Sequence, residues 1–227
     1  MKSESAILSF INNFPVSASL KDAHTGKYIA NNTHNSLQFG VKDPKDIEGL
    51  TIKDIRFRQT EWGTQYAKSI EKQDFLVREY RTSVTRRRVF LDDSGDVEME
   101  KMTKFAITGV RGDVLGIATI RHDITRTLAP LNIFQINREF YPAASAIERT
   151  MIFLDIRSYF ISPPTEAQFR VLLLRAERLT NKEIARFLGI SDRTVECHSD
   201  AVRNRILNDS LPTVLARARG TAEHGPN

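Results

Sequence analysis

The stretch Thr180–Asp200, TNKEIARFLGISDRTVECHSD, carries dense local punctuation within this 227-residue chain. Thr180 followed three residues later by Glu183 is a capping box, so a helix begins at Asn181, with Ile184, Ala185 and Leu188 on its apolar face. Gly189 suits a left-handed stop, and Ile190 can turn back toward a core. Ser191 then caps a second helix, and Asp192 sits favourably at its positive end. Val195, Val202 and Ile206 line one side of that helix. Ala185 is small enough for two steeply crossing helices to approach there, and together these features predict a helix-turn-helix.

Outward from this motif, Thr165 to Arg178 reads as a preceding helix with Val171, Leu172 and Leu174 inside. Pro212 to Arg219 offers a short last helix with Val214, Leu215 and Ala218. This all-α order of four helices resembles the DNA-binding domain of LuxR-type bacterial regulators over about residues 163 to 220. The carrying residues are Thr165, Val171, Leu172, Leu174, Ala176, Thr180 to Ala185, Leu188, Ile190, Ser191, Thr194, Val195, His198, Val202, Arg205 and Ile206. Departures stand beside them. Pro164 replaces a usual leucine, Ala167 and Gln168 a usual Arg-Glu pair, Arg170 an acid, Arg178 a glycine and Glu196 a common lysine.

The inward positions of the second helix put Thr194, Glu196, Cys197 and Asp200 toward the side that would enter a major groove. A glutamate there can accept from the exocyclic amine of cytosine, but it is repelled by phosphate. Affinity would then rest on Lys182, on the amides at Ser191 and both helix starts, and on Arg193, Arg203 and Arg205 at the rim. The resemblance implies double-stranded DNA as partner, a homodimer through the last helix near Val214 and Ala218, and RNA polymerase as a further partner. The rival function is a protein-interaction module of the anti-activator type, in which the acidic helix binds a protein.

Between residues 128 and 161, Ile133, Phe140, Ile147 and Leu154 recur every seven residues. This predicts either a connector packed on the chain's own sheet or a dimer seam through Ile133, Phe140 and Ile147. Pro142 argues for two helices rather than one.

Residues 1 to 127 read differently. A short amphipathic helix, Ser5 to Asn13, precedes VSASLKD and KYIANN, two strands joined by the turn HTG. Short helical pieces follow, then a helix from Glu61 to about Lys72 carrying Trp62, Tyr66, Ala67 and Ile70 at helical spacing. RTSVTRRRVFL, VEMEKMTKFAITGV and VLGIATIRHDIT, separated by DDSGD and RGD, form a meander. The whole predicts an α+β layer, a five-stranded antiparallel sheet with helices on one side. KDAHTGKYIANN, with Asp22, Gly26 and Asn31 or Asn32, and GDVLGIATIRHDITRT resemble the opening hairpin and closing strand of PAS sensor domains over about residues 10 to 127.

Phe57, Trp62, Tyr66 and Phe75 are candidates for a sensor pocket, although such a stripe is more often plain core. Arg86, Arg87 and Arg88 could attract nucleic acid, but the DDSG turn brings them near Glu98 and Glu100, where cross-strand pairing is favoured. His24, His34, His122, His198 and His224 show no metal-ligand spacing, and haem is disfavoured because none falls on the long PAS helix. Cys197 is the single cysteine, which excludes an internal disulfide or thiolate cluster. It reads as a filler or base contact rather than a redox sensor.

No apolar run reaches the roughly 18 residues of a membrane helix, so a cytoplasmic location is expected. Net charge is +5, with 23 Lys+Arg against 20 Asp+Glu up to residue 161 and 10 against 8 beyond. Charge alone therefore does not call for nucleic acid. No phosphate loop, nucleophile elbow or acid-base pair suggests catalysis or a cofactor. The expectation is a three-part regulator: a PAS-like sensor over 1–127 open to a small-molecule ligand, a connector over 128–161, and a LuxR-type domain over 162–227.

Overall fold

The alternation in VSASLKD sends Ser17, Ser19 and Lys21 to one face of a strand and Ala18 and Leu20 to the other, and this split organises the first half of the chain. The computed structural model describes residues 2–209 and 211–223; His224 lies outside the described residues. The chain divides into two units, Met1–Ile124 and Thr125–Asn227.

The first unit contains α1 (Lys2–Asn12), β1 (Ser17–Asp22), β2 (Tyr28–Asn31), α2 (Thr33–Gln38), α3 (Thr60–Tyr80), β3 (Val84–Leu91), β4 (Val97–Thr108) and β5 (Val114–Asp123). The sheet order is β2-β1-β5-β4-β3, with every neighbouring pair antiparallel. The hairpin residues explain themselves. Asp22 accepts from the amides of His24 and Thr25 and from the Thr25 hydroxyl, and Gly26 takes φ +70°. Asn32 accepts from the amides of Ala18 and Asn35 and donates to the carbonyls of Phe14 and Val16, locking hairpin, strand and α2 together.

Helices cover both sides of this sheet, not one. Ile7, Leu8 and Ile11 of α1 pack on Ala18, Leu20 and Ala118, while α3 lies over the face that holds Phe90 and Met102. α3 also runs eight residues past Lys72. Val77, wholly buried beside Ala23, Val114 and Ile117, extends the buried stripe beyond the aromatic cluster.

The second unit contains α4 (Pro130–Phe140), α5 (Ala143–Phe153), α6 (Glu166–Ala176), α7 (Asn181–Leu188), α8 (Asp192–Arg203) and α9 (Leu211–Glu223). Pro142 separates α4 from α5. The seven-residue spacing predicts a free seam or a cover for the sheet, whereas Ile133 (0% exposed) and Ile147 (3%) share one core with Phe169, Leu172 and Val214. Leu131 donates its amide to Glu177, tying the start of α4 to the end of α6. The connector is thus part of the helical unit.

Candidate nucleic-acid interface and sensor cavity

The two helices of the motif are built by their caps. Thr180 and Glu183 form a reciprocal capping box for α7, Gly189 takes φ +67°, and Ser191 accepts the Thr194 amide to start α8. Thr165 and Gln168 form a second capping box at α6, so glutamine at that position preserves the cap. Arg178 takes the left-handed conformation, with φ +67°. Glycine enters that region without the crowding an arginine Cβ suffers, a cost of about 1–2 kcal/mol.

On α8, Val195, Ser199 and Val202 are buried. At 100° per residue, the face opposite them is made by Arg193, Cys197, Asp200 and Asn204, all exposed. Glu196 lies at the side of this face and accepts from the Asn181 amide group at 3.4 Å. Arg175 links the same neighbourhood, donating to Ser199 at 2.8 Å and to Asn181 at 2.6 Å. Asp200 pairs with Arg203 at 3.1 Å, one helical turn on. Glu196 and Asp200 therefore both have partners within the helical unit. Arg175, Asn181, Ser199 and Asn204 are additions that the sequence reading missed; the three- and four-residue spacing of Val195, Ser199 and Val202 was the available signal for Ser199.

The other predicted contacts separate into two groups. Lys182, Arg193 and Cys197 are exposed. Ser191 and Thr194 are joined hydroxyl to hydroxyl at 2.8 Å in the cap, and Arg205 donates to Ser162 and to the Pro163 carbonyl. Arg205 thus braces the segment before α6, beside the Phe160–Ile206 bridge, rather than standing free at the rim. The predicted dimer positions fare differently again. Ile133, Ile147, Val214 and Ala218 are at most 3% exposed inside the unit's own core, and only Phe140 is half-buried. A seam made of those four side chains would require the unit to open.

In the first unit, Phe57, Trp62 and Tyr66 pack against one another and Phe90, with ring centroids 5.1–5.6 Å apart. Phe75 instead is exposed, beneath the Arg78 guanidinium. Of the four, Tyr66 lines the small inner cavity between α3 and the sheet, together with Lys21, Lys104 and Arg121; Phe57 lines an outer cleft. Inward charges are the feature sequence reasoning missed, because lysine and arginine on a strand are ordinarily assigned to its wet face.

Asp74 of α3 joins the two lysines, 3.0 Å from Lys21 and bonded to Lys104. Burial opposes the ammonium of Lys21, but Tyr28 and Asp74 outweigh it and hold its pKa above the usual range. For Lys104 burial wins over Asp74 and the pKa falls to about 8. Glu100, wholly buried, is held above the usual carboxylate range by desolvation against the pull of Arg121 and Arg88. Its cross-strand pairing with Arg88 holds. Arg86 and Arg87 instead face Met102 and Lys101, and Glu98 faces Phe90.

Fold and sites together define two kinds of domain: a PAS-like antiparallel sheet enclosing a polar cavity, and a helix-turn-helix with a capped second helix. Residues 164–216 match the family model of bacterial regulatory proteins, luxR family, so the helical unit carries a LuxR-type helix-turn-helix domain. Among solved structures, a Vibrio cholera VqmA–ligand–DNA complex is similar at 20% identity and TM-score 0.58, covering 98% of this chain and 90% of that one. A phage VqmA–DPO complex is similar at 25% identity and TM-score 0.55, with 99% and 91% covered. The PAS domain of Bordetella pertussis BvgS is similar at 16% identity and TM-score 0.49, with 62% and 100% covered. Comparison with curated protein sequences finds no match.

Proposed function

We propose that the protein is a transcription regulator, not an enzyme, that senses a small molecule in the cavity of its PAS-like unit and binds double-stranded DNA through α8. The observation that carries this is the geometry of α8 within a segment matching the luxR family model: a capped helix with Arg193, Cys197, Asp200 and Asn204 on its free face. The VqmA relatives, crystallised with DNA and with ligand, support the same reading. Lys182 and Arg193 supply phosphate contacts at the starts of the two helices, where exposed amides and the helix dipole add to them.

The internal partners of the two acids favour DNA over a protein partner. Glu196 with Asn181, and Asp200 with Arg203, present paired rather than bare carboxylates to the groove. Two copies on half-sites about one helical turn apart supply the affinity that one weakly cationic helix lacks. Such a dimer uses surface other than the buried Ile133, Ile147, Val214 and Ala218.

Fluorescence anisotropy with genomic fragments at several salt concentrations tests the proposal. Specific binding that weakens as salt rises is expected. Replacing both Glu196 and Asp200 by lysine should tighten binding and steepen its salt dependence by about two counterions. Failure to bind any fragment at low salt, or binding indifferent to salt, would overturn it.

A further inference from the structure

The inner cavity of the first unit has more buried positive charge than its own carboxylates balance. Lys21, Lys104 and Arg121 are 2%, 1% and 3% exposed, and all three line the same cavity. Opposite them stand Glu100, which is wholly buried, and Asp74, whose side chain is 14% exposed. Arg88, its side chain 13% exposed, adds a fourth cation against Glu100 at 3.5 Å. Burying ions in unequal numbers is costly unless something else carries the missing charge.

Donor geometry locates where that charge belongs. An ammonium has three donors. Lys21 gives one to Asp74 and turns another toward Tyr28, whose ring centroid is 4.7 Å away. Lys104 gives one to Asp74 and one to the Thr119 hydroxyl at 3.2 Å. Among the described residues, no third acceptor stands within hydrogen-bond distance of either ammonium. Arg121 lies between Phe39 and Phe90, at 4.7 and 5.2 Å. It donates to the neutral groups of Ser17, Tyr66 and Asn35, and Glu100 reaches it at 3.5 Å.

Ile52, Ile70 and Met102 give the rest of the wall an apolar side and Ser19 adds one hydroxyl; the cavity's volume of about 10 Å³ has room for roughly one water. Ile52 also lines an outer cleft of about 480 Å³. One side chain, itself 2% exposed, thus lies between a charged interior and an open vestibule.

We propose that this cavity receives the carboxylate head of a small organic monoanion, bound between Lys104, Lys21 and Arg121, with its apolar body passing Ile52 into the outer cleft. The proposal rests on the ligand-sensing reading above and narrows it to a chemical class. A single negative charge supplies acceptors to the two idle ammonium donors and reduces the local excess of cations. Because the head needs more room than one water, binding displaces Ile52.

The test is thermal melting of the full chain with matched probes at constant ionic strength: butyrate, hexanoate and benzoate against butyramide, hexanamide and benzamide. At least one acid should raise the melting temperature by about 3 °C or more while its amide does not. Isothermal titration with that acid should show about a tenfold weaker affinity for Lys104→Gln, which removes the charge but keeps a polar group. If that variant does not fold, the acid–amide comparison on the unaltered chain still decides. Equal shifts by acid and amide, or no shift by any acid, would overturn the monoanion. A neutral compound that altered DNA binding in the anisotropy assay would then leave ligand sensing standing, whereas DNA binding indifferent to every occupant of the cavity would remove that as well.

Discussion

The two units place their charges in opposite ways. Among the described residues, the buried side chains of the helical unit include polar Thr125, Asn137, Thr150 and Ser199 but no ionic group, whereas the sheet unit buries Lys21, Glu100, Lys104 and Arg121. In the helical unit three of these polar side chains donate to carbonyls of their own helices, Asn137 to Ile133, Thr150 to Ala146 and Ser199 to Val195, and Ser199 also accepts from Arg175 of α6. An apolar core without competing charges has one good packing, which suits a scaffold that must present α8 at a fixed angle. A core of coupled ions is held only while each keeps its partner. Its balance is open to change by a charge arriving from outside.

The largest expected effect breaks the ionic side of this contrast. Asp74→Ala leaves two buried ammoniums without their shared carboxylate and should cost about 3–5 kcal/mol in chemical denaturation followed by the single tryptophan, Trp62. A loss under about 1 kcal/mol would mean the lysines find other acceptors. On the apolar side, Leu172→Ala in the helical unit should cost about 3 kcal/mol through cavity formation alone. That loss should be the same at pH 6 and pH 9, because no ionic group shares its core.

A smaller effect separates the units by pH. Burial, and then the nearby Asp123 and Asp92, push the Glu98 carboxyl up to about 7. Its folded value lies above its ordinary 4.5, so its protonation contributes stability that is complete below pH 4.5 and is lost as pH rises through 7. Glu98→Gln lacks that contribution. The stability of the native chain relative to the variant should therefore fall between pH 4.5 and 7, as read from paired melts; a constant difference would refute the assignment. The smallest effect is a gain: Arg178→Gly should stabilise the helical unit by about 1 kcal/mol, by removing the left-handed strain between α6 and α7. Equal or lower stability would show that the arginine side chain compensates.

Legibility in the sequence follows the same division. The helix-turn-helix was readable because its determinants act over three or four residues: Thr180 with Glu183, Gly189 at its turn, Ser191 with Thr194. The five strands were readable from alternation and turn residues such as Asp22 and Gly26. The last turns of α3 are not legible in the sequence because they place exposed Phe75 and Tyr80 beside buried Val77, which blurs the apolar period. The connector's seven-residue spacing was real but ambiguous, since a buried stripe looks the same whether it meets another chain, a sheet or α6.

The exposed face of α8 was legible to within a helix side, and tertiary packing decides which of its side chains have partners. Arg205 donates to Ser162, and Glu196, at the side of that face, accepts from Asn181, fifteen residues earlier. Of the inner cavity, only Tyr66 was legible in the sequence. The aromatic stripe pointed to its neighbourhood, but Lys21 on β1 is remote in sequence from Lys104 and Arg121 on β4 and β5, and the three meet only through register: Ser19 beside Thr119, Lys104 beside Thr119, and Met102 beside Arg121.

By itself the sequence determined where the capped helices of the C-terminal unit start, which strands pair as hairpins, and that two of those helices form a helix-turn-helix, because caps, turns and periodicity are local. Only the tertiary structure decided which charges are buried, which arginines are already occupied and where the connector packs. Those outcomes depend on the distance between groups remote along the chain, and electrostatic cost is set by that distance and by the water that folding excludes.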